Sequence, residues 1–384
     1  MTYCPRCGTE LRAGAKFCHR CGAKIEDVLK FDERREELNF QDEQLKFSIN
    51  ECWRKNIKSM NFRVLPKIAL NAERIVSVAG MKDLHIFNFD GELERSIRTG
   101  GIFREPILDI AVPPDCSRIF VLFVDGKIKA YTMEGKEELV VKIPMGNHFG
   151  FIRTSLNKKI FAAALNEYGG VWDWNGNNLF WTRTRWSSIF IGGRRKYISL
   201  SVAPDGNYVG FIEGMPGYAC AITFIKIPPL RDLLKIKDID HNYTIWKNLG
   251  VDFELTDINF TIGKMLLANN RMVLCNERSL CIFDKKADKK YDKYLCNFEL
   301  VKKPETISHA QITAGGRYLL YLSHLGTSRE KRTCFNIFDI NNGINMRELL
   351  TFPKETSVVM TSSHDGSKVL IKVKKNDIRM YDIK

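Results

Sequence analysis

The chain has 384 residues, 44% hydrophobic and 27% charged, with 59 basic against 45 acidic side chains and a formal net charge of +14. That is a globular composition with material for one large domain or two ordinary ones. It excludes a membrane-spanning helix, because the most apolar stretch, Tyr218 to Ile227, falls far short of the roughly 20 residues a bilayer requires. The opening Met1-Thr2-Tyr3-Cys4-Pro5 lacks the charged and apolar regions of a secretory signal, so a cytoplasmic protein is expected. The basic excess favours anionic partners, whether nucleic acid, acidic protein surfaces or anionic lipid, without naming one.

The first element in chain order is a cysteine framework, Cys4, Cys7, Cys18 and Cys21, spaced C-x2-C-x10-C-x2-C. Two residues between cysteines let one tight turn aim both sulfurs at a common point. Gly8 and Gly22 directly after each pair permit the left-handed backbone such a turn uses. Four thiolates make the closed tetrahedral set of a structural zinc ion, and they leave no open coordination position for catalysis. His19 stands inside the second pair, but four cysteines make it unnecessary as a ligand. A redox role for the Cys-x-x-Cys pairs would need a thioredoxin-like frame that this sequence does not offer. The other seven cysteines, Cys52, Cys116, Cys220, Cys275, Cys281, Cys296 and Cys334, are scattered and mostly sit in apolar runs, which reads as buried reduced thiols.

From Glu26 to about Leu38 helix-forming residues of mixed charge predict a short solvated helix or charged linker. Gln44 to Ile49 then alternates with Leu45, Phe47 and Ile49 on one side, as a half-buried strand does. The remainder repeats a unit of short strand, Asp/Asn/Gly turn, apolar strand, second turn, and a strand ending in an aromatic. The anchors are Phe87, Tyr131, Trp172, Phe224, Phe283, Phe338 and Tyr381, at intervals of 44, 41, 52, 59, 55 and 43 residues. Four strands per unit of about 40–45 residues is the signature of a propeller blade. Seven anchors imply seven blades, although the longer central intervals leave room for an irregular eighth.

These repeats resemble those of WD-repeat β-propellers over about Arg63 to Lys384. The turns Pro204-Asp205-Gly206 and His364-Asp365-Gly366, and the strand ends Trp172-Asp173, Phe283-Asp284, Phe338-Asp339 and Tyr381-Asp382, carry the likeness. The chain lacks the family's Gly-His dipeptide, so the buried hydrogen-bond tetrad of that family is not expected. The head resembles short zinc-ribbon modules. The expected fold is therefore all-β: a zinc ribbon over residues 1–27, a charged helical linker and ring-closing strand over 28–60, and a seven-bladed propeller over 61–384. Because the last blade ends after its third strand, Gln44 to Ile49 or Ile57 to Phe62 is expected to supply its fourth.

Candidate chemistry is sparse. The seven histidines show no metal-ligand spacing, and no nucleophile elbow, Walker loop or dinucleotide fingerprint is present. The segment Trp181 to Trp186, followed by Gly193 to Tyr197, interleaves aromatic and basic residues, the chemistry of base stacking and phosphate contact. Arg183, Arg185, Arg194, Arg195 and Lys196 are the residues that would make it, against the plainer reading of blade core with basic decoration. Lysines between Lys285 and Lys293 alternate with acids and read as a solvated loop. The expected function is a non-catalytic interaction scaffold, with one structural zinc ion, whose propeller and ribbon engage a protein partner. The alternatives are RNA or DNA binding through the basic surface and ribbon, and an enzyme acting on a small molecule in the central channel.

Overall fold

The computed structural model describes residues 47–384 apart from 59, 61, 81, 100–104, 145–149, 156, 185–195, 216–217, 228–249, 254–263, 269–270, 276–277, 285–292, 302–304, 327–330, 354–357 and 375. The four expected zinc ligands, the helical linker and the lysine-rich loop lie outside the described residues, as do the stretches filling the longest intervals between anchors. The described strands form seven four-stranded antiparallel sheets. In each, sequence order runs from one edge to the other, except in the last, where an early strand takes the fourth place.

The sheets follow one another around a ring. Their first strands are Lys67–Ala69, Ile107–Ala111, Gly150–Ser155, Lys196–Val202, Lys264–Leu267, Thr306–Ile312 and Val359–Ser362. These inner strands approach their neighbours in succession. The Asn71 N–H donating to the Pro114 carbonyl at 2.9 Å ties the first sheet to the second. The hydrophobic clusters tell the same story, since each lies between two successive sheets. Val76 and Ile86 of the first sheet pack with Ile110 and Val121 of the second, while Phe120 of the second meets Phe161 of the third. A β-propeller is the arrangement that places apolar layers only between neighbouring sheets.

This layering explains the strand sequences. The second strands Ile119–Phe123 (IFVLF) and Ile160–Leu165 (IFAAAL) are buried at every position, because both faces meet a neighbouring sheet. The fourth strands Leu93–Arg98 and Glu137–Lys142 form the rim and are largely exposed and charged, which discourages pairing with another chain. The described anchors Phe87, Tyr131, Trp172, Phe338 and Tyr381 are buried in third strands. Opposite Phe87, Tyr131 and Trp172, the pairing of third with fourth strand slips by one residue, a bulge the repeat pattern did not reveal. The acids after the anchors cap the next turn: Asp173 accepts the Asn175 and Asn177 N–H groups at 2.9 and 2.8 Å, and Asp339 accepts that of Asn341 at 2.9 Å.

The ring closes differently in detail from the sequence expectation. The fourth strand of the last sheet is Ile49–Asn56, between the two segments put forward for it. It pairs antiparallel with Asp377–Ile383, and Ser48 and Lys384 exchange backbone hydrogen bonds at 3.0 Å. A bulge between Glu51 and Trp53 turns the Trp53 indole toward the first sheet, where its N–H reaches the Phe89 carbonyl and its ring lies against Gly91. Of the scattered cysteines, Cys116, Cys275 and Cys334 are buried, whereas Cys52 on the closing strand is exposed. The closing strand has only one face against the ring, so the expectation of burial does not hold for Cys52.

Candidate functional site

The inner strands enclose a cavity of about 360 Å³ on the axis of the ring. Six of the seven inner strands contribute to it, through Lys67, Ala111, Arg153, Ser201, Leu266 and Gln311 among others. Its walls mix apolar side chains, Leu65, Val112, Phe151 and Leu200 among them, with polar ones that include Thr154 and Ser199. Two polar lining groups are already committed to the frame: Gln311 Oε1 accepts the Ser362 N–H at 2.5 Å, and Ser201 Oγ accepts the Leu267 N–H at 3.0 Å. Bulges in the inner strands at Ile107/Asp109 and Tyr197/Ser199 set which side chains turn inward.

One wall carries a charge cluster from three successive sheets. Asp109, at 8% exposure, accepts hydrogen bonds from the Ile110 N–H at 2.9 Å, the Ile152 N–H at 3.1 Å and Arg153 Nη1 at 2.5 Å. Arg153 Nη1 also donates to its neighbour's carbonyl, Ile152 O, at 2.6 Å. Lys67 Nζ stands 3.9 Å from Asp109 Oδ1, close enough for ionic attraction but too far for a hydrogen bond. Burial pushes the Asp109 carboxyl up, but the Arg153 guanidinium, the Lys67 ammonium and the Ile152 N–H together outweigh it and hold the group below the usual carboxylate range. Burial, reinforced by Arg153 and opposed by Asp109, pushes Lys67 down to about 8.

Two cations share one anion, so the cluster presents a net single positive charge to the cavity at neutral pH. Among the described residues Lys67 Nζ has no hydrogen-bond acceptor, and Nε and Nη2 of Arg153 have no partner. Asp109 is held ionised with both oxygens occupied, which disqualifies it as a neutral-pH proton donor and blunts it as a base. The arrangement is suited to binding a negative group rather than to moving protons. Sequence reading did not single out these three residues, which sit at the ordinary repeat spacing. The signal was there, as a charged residue embedded in each of three consecutive inner-strand segments, Pro-Lys67-Ile-Ala, Ile-Leu-Asp109-Ile and Phe-Ile-Arg153-Thr.

Of the candidate nucleic-acid contacts, Arg183 is spent locally. It pairs with Glu167 at 3.0 Å, and its guanidinium lies 4.8 Å from the Tyr168 ring centre. Trp181 packs on Trp172 and Tyr168 as part of the interblade core. Lys196 opens an inner strand and is exposed, while Arg185, Arg194 and Arg195 lie outside the described residues. Among the described residues no group of three His, Cys, Asp or Glu side chains is placed to hold a metal ion, and no helix is long and apolar enough to cross a membrane.

Comparison with known proteins separates the two parts. The zinc-ribbon domain family matches residues 3–25, which contain all four candidate ligands. No curated protein matches the chain in sequence. Among solved structures, a chain in the crystal structure of the mitotic checkpoint complex superposes with a TM-score of 0.61 at 10% identity, covering 89% of this chain and 94% of that one. The β-propeller domain of Myceliophteria thermophila Cps50 (Swd1) superposes at 0.59 and 12% identity, covering 88% of this chain and all of the domain. The chain thus joins a zinc-ribbon module to a β-propeller. With 1535 solved chains matching, the fold is too widely shared to name an activity by itself.

Proposed function

We propose that this protein is a non-catalytic interaction scaffold of the cytoplasm, in which a seven-bladed propeller and a rim-tethered zinc ribbon together engage a protein partner. The observation that carries this reading is the closure. Because the fourth strand of the last sheet is Ile49–Asn56, Ser48 at its start lies on the rim of the ring, hydrogen-bonded to Lys384. A ribbon over residues 1–27, tethered to that rim by a charged linker, could share a partner with the propeller. The donor set fits zinc: Cys4, Cys7, Cys18 and Cys21 supply four soft thiolates with no position left for substrate, so the ion would hold shape. The similar mitotic checkpoint complex chain comes from an assembly, which agrees with a binding role. The excess of basic residues favours an acidic partner surface. Arg183, bound to Glu167, adds little to a nucleic-acid reading.

The test compares the intact chain with one lacking residues 1–27 and with Cys4→Ser/Cys7→Ser. Metal analysis should find about one zinc per intact chain and almost none in either variant. A partner captured by the intact chain and then purified should bind both variants more weakly. Zinc retained by the double variant, or equal partner affinity without the ribbon, contradicts the proposal.

A further inference from the structure

The channel holds a built but uncommitted cationic site. Its volume, about 360 Å³, lies within the range of small-molecule pockets, and one apolar side of it, Leu65, Val112, Phe151 and Leu200, adjoins the charged side. Asp109 offsets only one of the two cations, and the other is partly withdrawn from water, which costs stability unless something offsets it. The positioning is not loose. Arg153 is fixed through Nη1 on Asp109 and the Ile152 carbonyl, so that its remaining edge is held while still unpaired. Lys67 reaches the same anion from the neighbouring sheet.

We infer that this cavity binds a small organic carboxylate with an apolar body, its carboxylate paired with the Lys67 ammonium and the free edge of the Arg153 guanidinium. The single net charge matches a monoanion better than a polyphosphate. The planar guanidinium suits a carboxylate. Leu65, Val112, Phe151 and Leu200 would cover the apolar part. A bound anion would complete the charge balance that the protein leaves open, and this role is separate from that of the ribbon and of any protein partner.

The probe is 4-phenylbutyrate, titrated into the full chain by calorimetry, alongside 4-phenylbutanol as its neutral counterpart and inorganic phosphate as a bare anion. The acid should bind at least about tenfold more tightly than the alcohol or phosphate, since the first lacks charge and the second lacks apolar contact. Lys67→Met should weaken the acid by about tenfold or more while leaving the alcohol unchanged. Because Lys67 sits near 8, with Asp109 and Arg153 the charged groups facing it, the acid's affinity should fall on going well above that pH in the unmodified protein. In Lys67→Met it should stay flat. Equal binding of acid and alcohol, phosphate as tight as the acid, unchanged affinity in Lys67→Met, or no detectable acid binding would each overturn the inference. The comparison of acid with alcohol uses the unmodified protein and stands whether or not the variant folds.

Discussion

At the scale of single residues the most informative side chain is Lys67. Its ordinary pKa of 10.5 is pushed down to about 8 in the folded protein, chiefly by burial. Between those values the unfolded chain binds a proton that the folded chain has released. This group therefore adds stability as pH rises through that window, and below it the cost of the buried charge is fully felt. Lys67→Met should accordingly raise stability at neutral pH, by on the order of 2 kcal/mol after discounting for the side chain's partial exposure. Cys116, which burial raises to about 12, works in the opposite sense at alkaline pH, so the difference between variant and parent is the quantity to measure. Urea unfolding at neutral pH and near pH 10 checks this: the gain should shrink toward zero at the higher pH. A variant less stable than the parent at neutral pH would mean that Lys67 holds the fold together, and that its charge is not waiting for a ligand.

At the scale of elements the closing strand can be divided into parts that matter and parts that do not. Arg54 makes a two-pronged contact with Asp377 at 3.0 and 2.9 Å, but its side chain is 58% exposed, and such pairs contribute little. Trp53 instead joins Met60, Phe87 and Met380 in the cluster between the last and first sheets. Trp53→Ala should cost about 2 kcal/mol or more, whereas Arg54→Ala should cost under about 1 kcal/mol. Thermal or denaturant unfolding of the two variants side by side would show it, and equal losses would mean that the ion pair, not the indole, fastens the ring. The sequence displayed some of this element and hid the rest. Its existence followed from a last unit one strand short. Its position did not, because Ile49–Asn56 reads INECWRKN, too polar to announce a strand; its partners come from Asp377–Ile383 at the far end of the chain. The middle strands were legible for the opposite reason, since burial on both faces writes an unbroken apolar run such as Ile119–Phe123. Likewise the anchor aromatics showed themselves by recurring, while the Lys67–Asp109–Arg153 cluster did not, because each member is one charge in an otherwise apolar strand and only the ring brings them together.

For the whole molecule, the chain joins a zinc-ribbon module to a ring of sheets whose last member is completed by an early strand. The ring's interior is filled between sheets, and its axis is left with a small charged cavity, so another macromolecule would have to bind the outside of the ring. The proposed scaffold role requires that the chain bind a protein directly. The most direct test is light scattering on size-exclusion chromatography, with the purified chain mixed with its purified captured partner at moderate salt, before and after nuclease treatment. A complex of defined stoichiometry, with the same mass in both runs, is expected. A complex that disappears with nuclease, or two proteins that elute separately throughout, would contradict it.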